Sequence, residues 1–562
     1  MVSDPPHPLK GRRFRCPDTG LASVYTAQLL HTLGGLIGDP PPPSTPLDAA
    51  LDWTRSGLMH LTGDPSGPPQ QGPAALPTTA RGALDAFRLV AGSDILAGCS
   101  GASLLSERAA LLGLTRQGQV SANGSCRLLP AKDGWVALNL ARAEDRDLLP
   151  ALFETEQRVL SQDEISDHVS RLSAEELVNR GRLMGLPVAL VESTIRTGGA
   201  WCRLVECGPS VPVPRPPGQS ALVVDLSSLW AGPLASHLLQ QAGARVIKVE
   251  SSSRPDGARA GARAFFDLLN CGKESVSLDL TSTKGRQQLR SLLSHADIVI
   301  EASRPRALAQ MDIDAGALVK STPGRVWVSI TGVKSTPGRV WVSITGYGRG
   351  EPESHWVAWG DDAAVAAGAF GGTADAPVFC GDALADPLTG LHAAVAALAF
   401  WQGGESVLLD LSLREVTAHA LDFAPHSPRG SVFRQADGWY MTVEGHTAAV
   451  VKPEERTAQN PAATLGAQTR GRMCAASGAS SGRSDRTFRA VPGKTSWMRG
   501  AGPYCPASTT ITCTFLHWPQ RRAPFGAARQ RSPTKRNWRR SLPGPAVAGC
   551  AAPATTHRSP GT

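Results

Sequence analysis

The chain has no run of about 18 consecutive apolar residues, which excludes a transmembrane helix. Its opening, "MVSDPPHPLKGRRFRCPDTG", has no apolar core of the kind a secretory leader needs, so the expected location is cytoplasmic. None of the 11 cysteines forms a Cys-x-x-Cys pair or a Cys/His ligand spacing. Ordinary reduced thiols are expected, with no disulfide framework and no metal. Acidic residues are almost missing from one place only. From position 457 to 562 there are 16 Lys and Arg and a single acid, Asp485, whereas the first 456 residues hold 41 basic and 47 acidic ones. The net charge of +9 therefore belongs to the C-terminal tail and carries no information about what the body binds.

That tail also lacks helical or strand periodicity. Two readings compete for it. One is a basic, structureless segment that binds nucleic acid. The other is an out-of-frame end to the gene, favoured because Trp497, Trp518, Trp538 and four cysteines sit poorly with selected disorder. The expected organisation is a first segment at 1–206, a Pro-rich linker at 207–220 ("CGPSVPVPRPPGQS"), a second segment at 221–450 and a low-structure tail at 451–562.

The second segment alternates strand and helix signals. "ALVVDL" is an apolar run, Gly232-Pro233 opens a helix with Leu234, Leu238 and Leu239 on one face, Gly243 closes it, and "RVIKVE" follows as a strand. "ADIVIEA" and "RVWVSITGYG" continue the pattern, which predicts an α/β fold with a parallel sheet covered by helices on both faces. The first segment echoes the second. "GLASVYTAQLLHTLG" echoes "GPLASHLLQQAG", "ARGALDAFRLVAG" echoes "LTGLHAAVAALAF", and the hairpin around Trp135 echoes the one around Trp439. The chain reads as a tandem of two related copies, the first short of most of the sheet.

The stretches "VVDLSSLWAGPLASHLLQQAGARVIKVE", "FFDLLNCGKESVSLDLTSTKGR", "ADIVIEASRPRALAQM", "VSITGYGRGEP" and "GDALADPLTGLHAAVAALAF" resemble, in order, the family III CoA-transferases, a group that includes formyl-CoA transferase, carnitine CoA-transferase and α-methylacyl-CoA racemase. The resemblance implies a Rossmann-like large domain, a smaller α+β domain and interlocked dimers, here either a homodimer or a pseudo-dimer within one chain. It implies acyl-CoA and a small carboxylic acid as substrates, no permanently bound cofactor, and neither membrane nor nucleic acid as partner. The family's nucleophilic aspartate falls on Asp386. Read from the residues alone, Asp386-Pro387 is a helix N-cap followed by a first-turn proline, a setting in which the helix dipole favours an ionised carboxylate. The matching slot in the first copy is Thr78, which cannot act as an anionic nucleophile.

The family's CoA contacts map onto Trp230, Ala231, Leu278, Ala302, Ser303 and Arg304. Basic positions used by formyl-CoA transferase are Ser251, Thr281 and Gln310 here, leaving Arg304 and Arg306 to meet the phosphates. The histidine and aspartate of the racemase branch fall on Trp359 and Gly360, with His355 and Asp361 displaced along the chain. A transferase is therefore expected over a racemase. The alternative is a degenerate pseudo-enzyme of the same family, suggested by the tail and by an oddity at 319–346. There the unit "VKSTPGRVWVSITG" occurs twice without a difference. Since one parallel strand slot exists for it, the second unit is expected in the sheet and the first outside it.

Overall fold

In this computed structural model the described residues are 6–16, 20–38, 47–192, 199–209, 220–303, 305–321, 328–329, 332–333, 338–424, 428–458 and 460–468. Seven strands form the main sheet, in the order Arg203–Cys207, Val407–Ser412, Val340–Thr345, Ile298–Glu301, Leu222–Asp225, Arg245–Ser251, Glu274–Leu278. The last six run parallel, and Arg203–Cys207 closes one edge antiparallel to Val407–Ser412. Numbered along the chain, the six parallel strands lie 3-2-1-4-5-6, the dinucleotide-fold order with its switch point between Leu222–Asp225 and Ile298–Glu301. Side chains alternate between two cores, as the pleat requires. Val223, Ile298, Ile300, Val340 and Leu409 face one core; Val224, Val299, Trp341 and Leu408 face the other.

The doubled unit resolves as expected at its second occurrence. Val340–Thr345 lies between Ile298–Glu301 and Val407–Ser412. Of the first occurrence, Val328–Ser329 pairs antiparallel with Gly332–Val333 in a ladder of its own. Its start, Val319–Lys320, ends the helix Ala315–Lys320, and residues 322–327 and 330–331 lie outside the described residues.

The first half contains a miniature of the second. Arg13–Phe14 pairs parallel with Leu36–Ile37 across the helix Leu21–Thr32, and Leu222–Asp225 pairs parallel with Arg245–Ser251 across the helix Ala231–Gln241. Arg13 faces Leu36 as Leu222 faces Arg245. Gly35 N donates to Leu30 O at 2.9 Å as Ala244 N donates to Leu239 O at 3.0 Å. Gly34 and Gly243 both take positive φ, 87° and 93°, which glycine adopts without a Cβ penalty. These pairs all lie 209 residues apart. The long helices repeat as well. Gly82, in Leu76–Ala91, presses on Ala22 O, where a Cβ would come within 2.6 Å. Gly390, in Ala385–Gln402, presses on Ala231 O, where a Cβ would come within 2.7 Å.

The small sheets are exchanged between the halves. Cys126–Pro130, Trp135–Asn139 and Val188–Leu190 form an antiparallel sheet over the helices of 143–184, and it packs on the helix Gly360–Ala366. Val365 shares a core there with Cys126, Leu128, Ala137 and Ala189. Conversely, Ser431–Gln435, Gly438–Val443 and His446–Ala449 form the second antiparallel sheet, which packs on the helix Leu47–Arg55 of the first half. Each half thus roofs the other, and all described residues fall in one compact unit, Met1–Gly482.

Three boundaries read from the sequence are corrected. Cys207 ends the edge strand Arg203–Cys207, so position 207 belongs to the sheet and not to a linker. The division between 206 and 221 does not separate two domains, because that strand and the exchanged sheets knit the halves together. The tail does not begin at 451. Val451 N donates to Thr54 O at 2.9 Å, Arg456 pairs with buried Glu107 at 2.9 Å, and Ala462 is buried against Phe266 and Ala258. Gln468 pairs with the edge strand through Ser275, accepting from its N at 2.7 Å and donating to its O at 3.0 Å. Composition misled because these contacts are backbone hydrogen bonds and single side chains that leave no periodic trace. Residues 469–562 lie outside the described residues. No helix among the described residues is long and apolar enough to cross a membrane.

Candidate active site

The helix Ala385–Gln402 is buried around its whole circumference, as its sequence "ADPLTGLHAAVAALAFWQ" demands. From Gly381 to Trp401, Asp386 alone is only partly buried. It is not the cap. Ala383 takes φ 43°, and helical geometry is already established at Ala385, so Asp386 is the second residue of the first turn and donates its N to Ala383 O at 2.9 Å. The dipole argument survives this correction, because the carboxylate still sits over the positive end of the helix. Gly360 packs against the Asp386 carboxylate with its N–H close enough to lower that group's pKa, and the glycine is required: a Cβ at 360 would stand 2.4 Å from Ala383 O and 2.6 Å from Asp386 Oδ2.

Two more carboxylates, Asp361 and Asp382, act on this one, and a third, Asp362, stands beside Asp361. Asp361 and Asp362 open the helix Gly360–Ala366, and Asp382 lies one helical turn before Asp386; all three are buried. Arg108, from the helix Glu107–Leu112, grips Asp382 with both arms of its guanidinium, Nε to Oδ2 at 2.7 Å and Nη2 to Oδ1 at 2.5 Å. Its other face lies over the Trp230 ring at 4.9 Å. Asn123 bridges two of the acids, donating Nδ2 to Asp361 Oδ2 at 2.7 Å and to Asp382 Oδ1 at 3.1 Å. Asn139 donates to Asp362 Oδ1 at 2.9 Å, and Ala383 N donates to Asp361 Oδ1 at 2.8 Å.

The electrostatics follow from crowding and burial. Burial pushes the Asp386 carboxyl up to about 7; Arg108 and the Gly360 N–H pull it down, while Asp361 and Asp382 push it further up. Burial raises Asp362 to about 8 and, with Asp382 beside it, raises Asp361 as well. Burial works against the charge of Arg108, but Asp382, Asp361 and Asp386 outweigh it and hold the guanidinium protonated. Near neutral pH the site holds a carboxylate that can exist in its ionised form and is basic enough to attack a carbonyl.

The other residues expected at the site fare differently. Trp230 is brought close to Asp386, but as the buried platform under Arg108 and against Phe265. Ala231 is buried, and its O packs against Gly390. Leu278 is buried in the second core, at the far edge of the sheet. Side chains at Trp230 and Leu278 therefore have no free face for a ligand, which leaves their backbone. Ala302 is exposed and Ser303 half-buried, with Ser303 N and Oγ both donating to Glu301 Oε2, at the carboxyl end of the switch-point strand. Arg304 lies outside the described residues. His355 is a surface residue paired with Glu351. Thr78 does not cap its helix: Oγ1 donates to Asp52 Oδ2 at 2.7 Å, and Arg81 pairs with the same carboxylate. Arg108, Asn123, Asn139, Asp362 and Asp382 were not singled out from the sequence. Only Asp382 carried a signal, its spacing of four from Asp386 within "GDALADP".

Residues 219–438 match CoA-transferase family III. This segment is similar to that family over 39% of the chain. The chain is 28% identical over 231 residues to a succinate–glutarate CoA-transferase of Agrobacterium fabrum, a match covering 38% of this chain and 54% of that protein. It is 33% identical over 129 residues to a probable fatty acyl-CoA transferase of Mycobacterium tuberculosis, covering 21% and 32%. With the mouse succinyl-CoA:glutarate CoA-transferase it shares 28% over 211 residues, covering 35% and 45%. The chain thus spans about half, or less, of the length of the curated relatives it matches. Among solved structures, the Mycobacterium tuberculosis protein aligns at 27% identity with a TM-score of 0.34, over 40% of this chain and 64% of that one.

Proposed function

We propose that this chain moves CoA from an acyl-CoA donor to a small carboxylic acid, with Asp386 as nucleophile. The observation that carries this reading is that Asp386 is the least buried residue of 381–401, placed in the first turn of a helix against Gly360 and within the field of Arg108. The named relatives act as CoA-transferases on acyl groups of this class, which supports the reaction type.

In the proposed cycle an Asp386 oxygen attacks the thioester carbonyl and CoA leaves as thiolate, giving an acyl-aspartyl anhydride. The thiolate attacks the aspartyl carbonyl, releasing the donor acid and leaving an aspartyl-CoA thioester. The acceptor carboxylate attacks that thioester, and the expelled thiolate attacks the new acyl carbonyl, giving acyl-CoA and free Asp386. No net proton is consumed. The helix N-terminus and the Gly360 N–H stabilise the carboxylate whenever it is released.

The two halves are read as tandem copies that form one pseudo-dimer with one working site, since Thr78 stands where the other half has Asp386. A racemase reading is disfavoured because Trp359 and Gly360 occupy the acid–base positions, and Gly360 has no room for a side chain. Incubation with acyl-CoA and hydroxylamine should yield a hydroxamate at Asp386, located by peptide mapping, and Asp386→Ala should abolish exchange. Undiminished exchange in Asp386→Ala would overturn the assignment.

A further inference from the structure

Half of the site's polar frame comes from residues outside the matched segment. Arg108 stands on a short helix of the first half, and Asn123 on a turn just before the small sheet; neither position falls within 219–438. Both reach the same loop, 381–385. Arg108 holds it from below through Asp382 while resting on Trp230, and Asn123 ties it sideways to Asp361. Ala383 N closes the arrangement onto Asp361 Oδ1. That loop sets where the first turn of Ala385–Gln402 begins, and so where Asp386 stands.

We propose that Arg108 and Asn123 are positioning residues for Asp386: Asn123 fixes the loop that carries it, and Arg108 supplies the positive charge that keeps it ionised among its acidic neighbours. This rests on Asp386 being the reactive group. The charged groups acting on Asp386 are Arg108 from Glu107–Leu112, Asp361 from Gly360–Ala366 and Asp382 from the loop itself, with Asp362 acting on Asp361 behind them. Two acids, Asp361 and Asp382, press on the Asp386 carboxylate, and the Arg108 guanidinium grips Asp382 in a bidentate pair. Lys at 108 keeps the charge and gives up the fork; Gln gives up the charge. Asn123 is exposed at its backbone turn, so replacing it removes the bridge without opening the core.

The test uses the full chain and reads Asp386 directly. A carbodiimide with an amine labels protonated carboxyls, so labelling of Asp386, quantified by peptide mapping across pH, gives its ionisation without turnover. In Arg108→Gln the half-labelling pH should rise by about one unit or more, equivalent to about a tenfold loss of ionised Asp386 below both midpoints. In Arg108→Lys it should stay within a few tenths of wild type. Asn123→Ala should leave the midpoint in place and lower kcat by roughly tenfold at unchanged KM, as expected for a lost orienting contact. An unmoved midpoint in Arg108→Gln, or an unchanged kcat in Asn123→Ala, overturns the proposal. Should Arg108→Gln fail to fold, Asn123→Asp replaces it: the added charge must raise the midpoint, and a flat result counts against the proposal. Activity of Asp386→Asn is measured separately. If that variant transfers CoA normally, the nucleophile assignment fails, whereas the labelling result stands or falls without it.

Discussion

Gly360 and Asp386 are held so close that a single methyl group at position 360 would stand 2.6 Å from Asp386 Oδ2 and 2.4 Å from Ala383 O. The same contact that excludes a side chain delivers the backbone N–H. Gly360→Ala should therefore cost about 1–3 kcal/mol of stability through overpacking. By pushing Asp386 out of place it should also lower CoA transfer by roughly 100-fold, the scale of a small misplacement at a reacting group. Thermal melting and initial rates measured together check this; a normal rate in a folded variant contradicts it.

The pH dependence of activity follows from the same carboxylate. Burial pushes the Asp386 carboxyl up to about 7, and in the proposed cycle attack needs the ionised form. The kcat/KM profile should rise with pH and level off above about 7, with no loss on the alkaline side attributable to this group. A profile already flat at pH 5 would show that Asp386 is not the limiting ionisation.

Stability runs the other way. Asp361, Asp362 and Asp386 all titrate higher in the folded chain than the ordinary aspartate near 3.9. The folded state therefore binds more protons, and stability present below pH 4 is lost as pH rises toward 8. Asp362→Asn removes the highest of these titrations while keeping an acceptor for Asn139 and the Trp359 N–H. Its melting temperature should exceed wild type by a few degrees at pH 8 and match it at pH 4.5.

Arg456 reaches back into the body and pairs with Glu107, which is buried. Arg456→Ala should leave that acid without its partner and cost about 3 kcal/mol, read as a drop in unfolding midpoint. The double variant Arg456→Ala with Glu107→Gln should recover part of the loss. An unchanged midpoint in the single variant would mean that 451–468 does not dock as described.

The helix contacts at Gly82 and Gly390 predict matched penalties. Either glycine replaced by Ala forces a Cβ against a backbone oxygen, Ala22 O or Ala231 O, that cannot move away freely. Each substitution should destabilise by about 1–3 kcal/mol, and chemical denaturation should show the two effects to be alike.

The sheet was legible where apolar runs are bounded by glycine, proline and acidic residues, as in "ALVVDL" and "ADIVIEA". It was not legible at Arg13–Phe14 and Leu36–Ile37, because two residues carry no period; only their backbone pairing reveals them. Asp386 could be read because a motif surrounds it, but its place in the first turn could not, since that depends on the left-handed turn at Ala383. Arg108 and Asn123 were illegible for a deeper reason. Their partners lie in the other half of the chain, and no local pattern records which distant acid a guanidinium or amide will meet. The Pro-rich stretch was read as a divider because composition registers stiffness and says nothing of the sheets exchanged across it.

That exchange fixes the order of events during synthesis. The helix Leu47–Arg55 is made early, yet its roof, the strands of 438–449, emerges several hundred residues later. The first half leaves the ribosome with this face uncovered and must wait for several hundred residues before it is closed, the situation in which long-range topology slows folding and invites chaperones. A gene truncated before position 438 would thus fail twice, losing its own last sheet and stranding the helix that was finished first.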